Sequence, residues 1–170
     1  VTGFGLVSAR VVNEQRIRAQ AGTLVVETAL NNNDWDGVGN TGELSAAPGR
    51  TLELRDVGPA FGFTGTVSAD AGGRVFSNGF ALDFNPGSSL NLTAGTYESI
   101  SSTDIGGTVT VSAGAESTIE VENNSFLVFE TGSATTLNGN LRLLNNNVII
   151  DAGAAFGGTG ALVVPDGSNM

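Results

Sequence analysis

The sequence predicts an all-β chain wound into a parallel solenoid (β-helix), with an antiparallel β-sandwich or jelly roll as the alternative. Three observations predict it. Helical periodicity is almost absent, because apolar residues alternate over short runs or cluster in threes and are cut every few residues by Gly, Asn or Pro. The runs recur with a common layout through the second half of the chain. Between them lie corners rich in Gly and Asn, residues that tolerate the left-handed backbone a sharp turn requires.

The candidate strands follow in chain order. Segments 6–9, 16–19 and 23–28 are short apolar or β-branched runs set off by polar and Gly-containing stretches. Segment 51–55 alternates Leu52 and Leu54 with Glu53 and Arg55, the signature of a strand with one face inward. Segments 65–68 and 74–76 centre on Val67 and Val75, and 80–84 and 89–93 place Leu82, Phe84, Leu90 and Leu92 on alternate positions. Segment 108–112 reads Thr-Val-Thr-Val-Ser, 118–122 alternates Ile119 and Val121 with acids, and 126–129, 140–144, 148–150 and 161–164 are apolar runs ended by polar or Gly-rich corners.

Segments beginning at Val109, Leu127 and Val148 share a strand, a Gly-Ala or Gly-Ser corner, a second strand and a polar corner, with looser copies beginning at Thr51 and Phe80. Their spacings of 18 to 29 residues suit one coil of a parallel β-helix with loops of varying length. In such a coil each strand pairs with its equivalent about 4.8 Å away. The alignment predicts Ile119 and Val121 in register with Leu141 and Leu143, all facing inward, and Glu120 over Arg142 outside. It also sets Asn123 on Asn145 and Asn124 on Asn146. At the ends, Gly3-Phe-Gly-Leu-Val resembles Gly158-Thr-Gly-Ala-Leu-Val-Val, so residues 1–170 are expected to form one solenoid domain. That domain is expected to be a segment of a longer repeat protein or a subunit that stacks head to tail.

Composition narrows the chemistry. The 170 residues include 25 Gly, 17 acids and 7 Arg, with no Lys, His or Cys. Serine and cysteine nucleophiles activated by histidine, Schiff-base lysines and zinc sites built on His or Cys are therefore excluded. A net charge of −10 weighs against nucleic acid and anionic lipid, which are bound through cationic side chains. No apolar run approaches the roughly 20 residues of a membrane helix. The start lacks the basic and apolar regions of a signal peptide, so any leader is expected to have been removed. An acidic chain rich in Gly, Asn, Ser and Thr and lacking Lys is expected to be secreted or displayed at the cell surface.

Two stretches, Ile17-Arg-Ala-Gln-Ala-Gly-Thr-Leu-Val-Val-Glu and Val148-Ile-Ile-Asp-Ala-Gly-Ala-Ala-Phe-Gly-Gly-Thr-Gly, carry a family resemblance. The chain resembles secreted bacterial β-helix repeat proteins, namely autotransporter and filamentous-haemagglutinin-like passengers and large surface-anchored repeat proteins. The resemblance implies a right-handed, single-stranded parallel β-helix, export, and a role in adhesion, surface coats or matrix.

The candidate metal site is Asn32, Asp34, Asp36, Asn40 and Glu43. With Gly37 at the sixth place, these residues match the spacing of a calcium loop, with Asn in place of the first Asp. A hard cation needs several oxygen ligands at short range, so Ca2+ is the candidate cofactor, with a solvated Asn/Asp/Gly-rich loop as the alternative reading. Glu116, Glu120, Glu122 and Glu130 form an acidic stretch that could serve glycoside hydrolysis if paired across a groove. Thr108 and Thr110 suggest the hydroxyl ladder of ice-binding solenoids, but the alignment puts Val128 and Ile149 in comparable places. The function expected is thus structural or adhesive, with no catalytic residues. Expected partners are copies of itself or flanking repeats end to end, and a surface polysaccharide or cell-surface receptor. A polysaccharide lyase or hydrolase, or a carbohydrate-binding module, is the alternative.

Overall fold

The computed structural model describes residues 1–8, 15–27, 42–55, 61–79, 82–114, 116–122, 124–144 and 147–164. Every regular element among them is a strand, and all the strand pairs are parallel. The chain begins with β1 (Thr2–Ser8) and β2 (Arg16–Glu27). A second coil holds β3 (Glu43–Ala46), β4 (Thr51–Arg55) and β5 (Phe61–Phe63), and a third holds β6 (Thr66–Ala69), β7 (Arg74–Asn78) and β8 (Leu82–Phe84). The fourth runs through β9 (Ser89–Leu92), β10 (Thr96–Ser99) and β11 (Thr103–Ile105), and the fifth through β12 (Thr108–Val111), β13 (Glu116–Val121) and β14 (Leu127–Phe129). The sixth consists of β15 (Ala134–Leu137), β16 (Asn140–Leu144) and β17 (Val148–Ile150). A last partial coil adds β18 (Ala155–Gly158) and β19 (Leu162–Val163).

Equivalent strands stack into three walls of a β-solenoid of about six turns. The first wall runs β3, β6, β9, β12, β15, β18; the second β4, β7, β10, β13, β16, β19; the third β5, β8, β11, β14, β17. β2 turns a corner, because Arg16–Ala19 pairs with β3 while residues 23–27 pair with β4, so it joins the first two walls. β1 lies parallel on β2 and follows the same turn.

Alternation fills the interior. On the first wall Leu44, Val67, Leu90 and Val109 stack inward, beside a column of Ala19, Ala46, Ala69, Leu92 and Val111. The second wall contributes Leu52, Val75, Tyr97, Ile119 and Leu143, and the third Phe63, Phe84, Ile105 and Phe129. These side chains are almost completely buried. Phe84 meets Phe63 and Tyr97 edge to face, with centroids 6.3 and 5.4 Å apart, the arrangement aromatic quadrupoles favour. Corners depend on left-handed residues: Gly49, Gly72 and Gly114 turn the chain from first wall to second at positive φ, and Ala94 takes that corner in the fourth coil at φ 52°. Asn124 turns another corner at φ 58°, as its residue type predicts.

The parallel solenoid expected from the sequence is the architecture found, but two details of its alignment differ. Leu143 pairs with Ile119 as an inward partner, whereas Leu141 pairs with Ser117, a shift of two residues. Arg142 therefore lies beside Thr118, and Glu120 beside Leu144. The shift preserves which side chains face inward, because parity survives a two-residue slip. Each full coil also has three strands where the repeat suggested two. Thr108 and Thr110 belong to the first wall, while Val128 and Ile149 belong to the third, so they are not equivalents. Asn123, Asn145 and Asn146 fall outside the described residues; Asn147 donates through its side-chain amide to the Asn124 carbonyl at 3.0 Å.

Candidate functional site

The solenoid offers three walls, a corner cleft and two ends, and outward columns give each wall its own chemistry. On the first wall Glu43 opens a column that continues as Thr66, Ser89, Thr108, Ala134 and Ala155. The neighbouring outward column is Ser45, Ser68, Asn91, Thr110, Thr136 and Gly157. Hydroxyls are tied across coils: Thr66 Oγ1 to Ser89 Oγ at 2.9 Å, Thr93 Oγ1 to Ser112 Oγ at 2.9 Å, and Thr108 Oγ1 to the Ser88 carbonyl at 3.2 Å.

Charge on this wall collects at its N-terminal end. Arg16 Nε donates to Glu43 at 2.8 Å, and Arg18 lies 3.8 Å from Glu43 and donates to Asp70 at 2.8 Å. Burial alone would raise the Glu43 pKa, but its hydrogen bonds and the Arg16 charge outweigh this and hold it below the ordinary value. Of the predicted calcium set, only Glu43 lies within the described residues; Asn32, Asp34, Asp36 and Asn40 lie outside them. Glu43 is thus already matched by guanidinium groups, which a cation at this position would have to displace.

The second wall carries an ionic network. Arg74 grips the Glu98 carboxylate with two guanidinium nitrogens and lies 4.1 Å over the Phe76 ring. Glu53 accepts from Arg55 at 2.7 Å and from Asn78 at 2.7 Å. Glu120 is raised above its ordinary pKa, by burial first and then by the charges of Glu98 and Glu122. Glu116 and Glu120 stand on this wall, and Glu122 follows directly, but Glu130 follows β14 on the third wall. The acidic stretch seen in the sequence is therefore divided between two walls.

The third wall brings together carboxylates whose association the sequence did not reveal. Phe84 pairs with Ile105, so Asp83 and Asp104 are stacked neighbours between inward residues. Burial, followed by the Asp104 charge, pushes Asp83 up to about 6; Glu130 adds to the rise and a backbone hydrogen bond from Asp104 opposes it. Asp104 is raised by its own burial and by Asp151. The sequence signal was the recurring acid between two inward residues, Leu82-Asp-Phe84 and Thr103-Asp-Ile105, which becomes a pair only when the register is known. Among the described residues, no group of three or more acids is placed to hold a metal ion.

A shallow cleft of about 310 Å³ lies at the corner between the first two walls, lined by Gly114, Glu116, Asn138, Asn140, Thr159 and two further glycines. Glu116 is the single carboxylate of that lining, whereas hydrolysis by paired carboxylates needs a second about 5–9.5 Å away. At the ends, among the described residues, β1 pairs only with β2, and β17, β18 and β19 each have one neighbour. Gly3 and Gly158 occupy the same column of the first wall, and both have positive φ. The resemblance of the terminal segments thus places these glycines at one position of the coil. Compared with protein-family models, curated proteins and solved structures, the chain gives no match.

Proposed function

We propose that the protein is an extracellular structural or adhesive β-solenoid that acts through its extended walls and stacks end to end on a second copy of itself. One observation carries this reading: apolar exposure is concentrated at the ends. Of the seven exposed large hydrophobics among the described residues, Val1, Phe4 and Leu6 lie at the first strand, and Ile149, Ile150 and Val163 on the last strands of their walls. Among the described residues the strands here have a parallel neighbour on one side, and such edges suit continuation by another coil. The shared column of Gly3 and Gly158 supports a continuous register across such a joint. The acidic, Lys-free composition supports an extracellular site of action.

Sedimentation velocity over a range of concentrations tests the stacking. The expected mass rises above the 17.2 kDa of one chain as concentration increases, and Ile150→Asp returns it to that value. A single 17.2 kDa species at every concentration overturns the reading. Calcium at Asn32, Asp34, Asp36, Asn40 and Glu43 belongs to the same proposal. Binding is expected to raise the melting temperature and shift Trp35 emission, and saturating calcium without either effect removes the site.

A further inference from the structure

The first wall differs from the others in a way that points to a ligand. None of its ten outward strand positions from β6 to β18 carries a charge. All ten are Thr, Ser, Asn, Ala or Gly, and none is aromatic. The second wall, built on the same coils, presents Arg74, Glu98, Glu120 and Arg142, and the third presents Asp83 and Asp104. A chain with 24 charged residues and a net charge of −10 therefore leaves one long surface neutral.

The surface is also regular. β6, β9, β12, β15 and β18 pair residue for residue without a bulge. Outward groups consequently repeat about every 4.8 Å along the solenoid axis and about every 6.7 Å along each strand. Short side chains have little rotamer freedom to lose on binding, and Thr is stiff about χ1. The cross-coil bonds of Thr66 to Ser89 and Thr93 to Ser112 restrain the hydroxyls further. The result is a preorganised surface in which every hydroxyl keeps acceptor capacity and those not already donating within the protein, such as Thr110 and Thr136, can also donate, with the Ala and Thr methyl groups interspersed.

We infer that this wall is an adsorption surface for the neutral, periodic water lattice of an ice face. Charged and long side chains impose their own hydration, and such a face excludes both. A water lattice offers donors and acceptors at repeating positions, which is what a hydroxyl net can match. Individual contacts are weak, and many made simultaneously by a rigid surface hold the molecule in place. Sugar polymers are the competing neutral lattice, but their rings are commonly gripped by aromatic faces, which these positions lack. The inference concerns a wall and is independent of stacking at the ends.

The test compares ice recrystallisation and thermal hysteresis for the full chain, for Thr110→Glu on the first wall, and for Thr118→Glu at an outward position of the second. The parent is expected to restrain ice growth, Thr110→Glu to lose at least about tenfold in potency, equivalent to about 1.4 kcal/mol, and Thr118→Glu to match the parent. Thr136→Glu, at an exposed position of β15, repeats the test if Thr110→Glu lowers the melting temperature. Ice growth unchanged from buffer overturns the inference, as does equal loss in the two walls. Retention on crystalline cellulose or chitin that Thr110→Glu abolishes, with no effect on ice, also overturns it and assigns the wall to polysaccharide.

Discussion

The first and third walls are built from the same coils and by the same parallel stacking, yet they invert one another. The third wall packs Phe63, Phe84, Ile105 and Phe129 inside and stacks Asp83 on Asp104 outside. The first wall places its Ala19, Ala46 and Ala69 column inside and presents hydroxyl and methyl groups outside. Stability on the third wall comes from large apolar side chains and is offset by carboxylates crowded together. On the first wall Leu44, Val67, Leu90 and Val109 pack beside that column, and the outward strand positions from β6 to β18 carry no charge.

The sharpest way to break this comparison is to remove an aromatic from the third wall. Phe84→Ala deletes the ring between Phe63 and Tyr97 and is expected to cost about 3–5 kcal/mol, measured by denaturant unfolding. A cost no larger than that of a surface substitution would show that the aromatic stack does not anchor this wall. On the first wall the corresponding vulnerability is backbone approach. A Cβ on Gly95, at the corner that leads from β9 to β10, would run into the Ala69 carbonyl of β6 on that wall, so Gly95→Ala is expected to destabilise by about 1–3 kcal/mol in the same assay.

The carboxylates give the next effect and a pH signature. Asp83 has its folded pKa raised from 3.8 to about 6 by burial and by Asp104, with Glu130 also facing it. Below this window both folded and unfolded states hold the proton. As pH rises through it, the unfolded chain ionises first, so stability falls and the full penalty is present above about 6. Discounted for the solvent that reaches the group, that penalty is about 1 kcal/mol. Asp83→Asn should raise the melting temperature above the window and flatten its pH dependence; an unchanged pH profile would remove the carboxylate pair from the account.

The smallest expected effect lies inside the first wall. Thr135 is buried in the inward column with Val109, and among the described residues its hydroxyl has no hydrogen-bond partner. Thr135→Val keeps the shape and removes the unpaired group, for a gain of about 1 kcal/mol in unfolding free energy. A loss of stability would indicate that the hydroxyl is satisfied.

The unequal legibility of the walls follows from the same contrast. Thr51–Arg55 and Ser89–Leu92 are readable as strands because inward Leu alternates with polar residues. Glu43–Ala46, Ala134–Leu137 and Ala155–Gly158 are not, since Ala, Thr and Gly occupy many of their positions and the ladder on either side enforces the extended backbone. Overlooking these strands reduced three per coil to two and set Thr108 and Thr110 against Val128 and Ile149. With the coils brought into phase, the neighbours of Thr110 become Asn91 and Thr136, and the neutral wall emerges. The Asp83–Asp104 pair was hidden for the same reason, because a lone acid in a short strand gives no sign of what the next coil places beside it. The candidate calcium spacing, by contrast, is wholly a sequence feature, and the structure adds to it the Arg16 and Arg18 partners of Glu43.

The central claim is that these coils continue by stacking one copy on another, and electron microscopy of concentrated protein addresses it most directly. The account predicts filaments one solenoid wide, with an axial repeat of about 4.8 Å in their diffraction. Dispersed single particles at every concentration would contradict it.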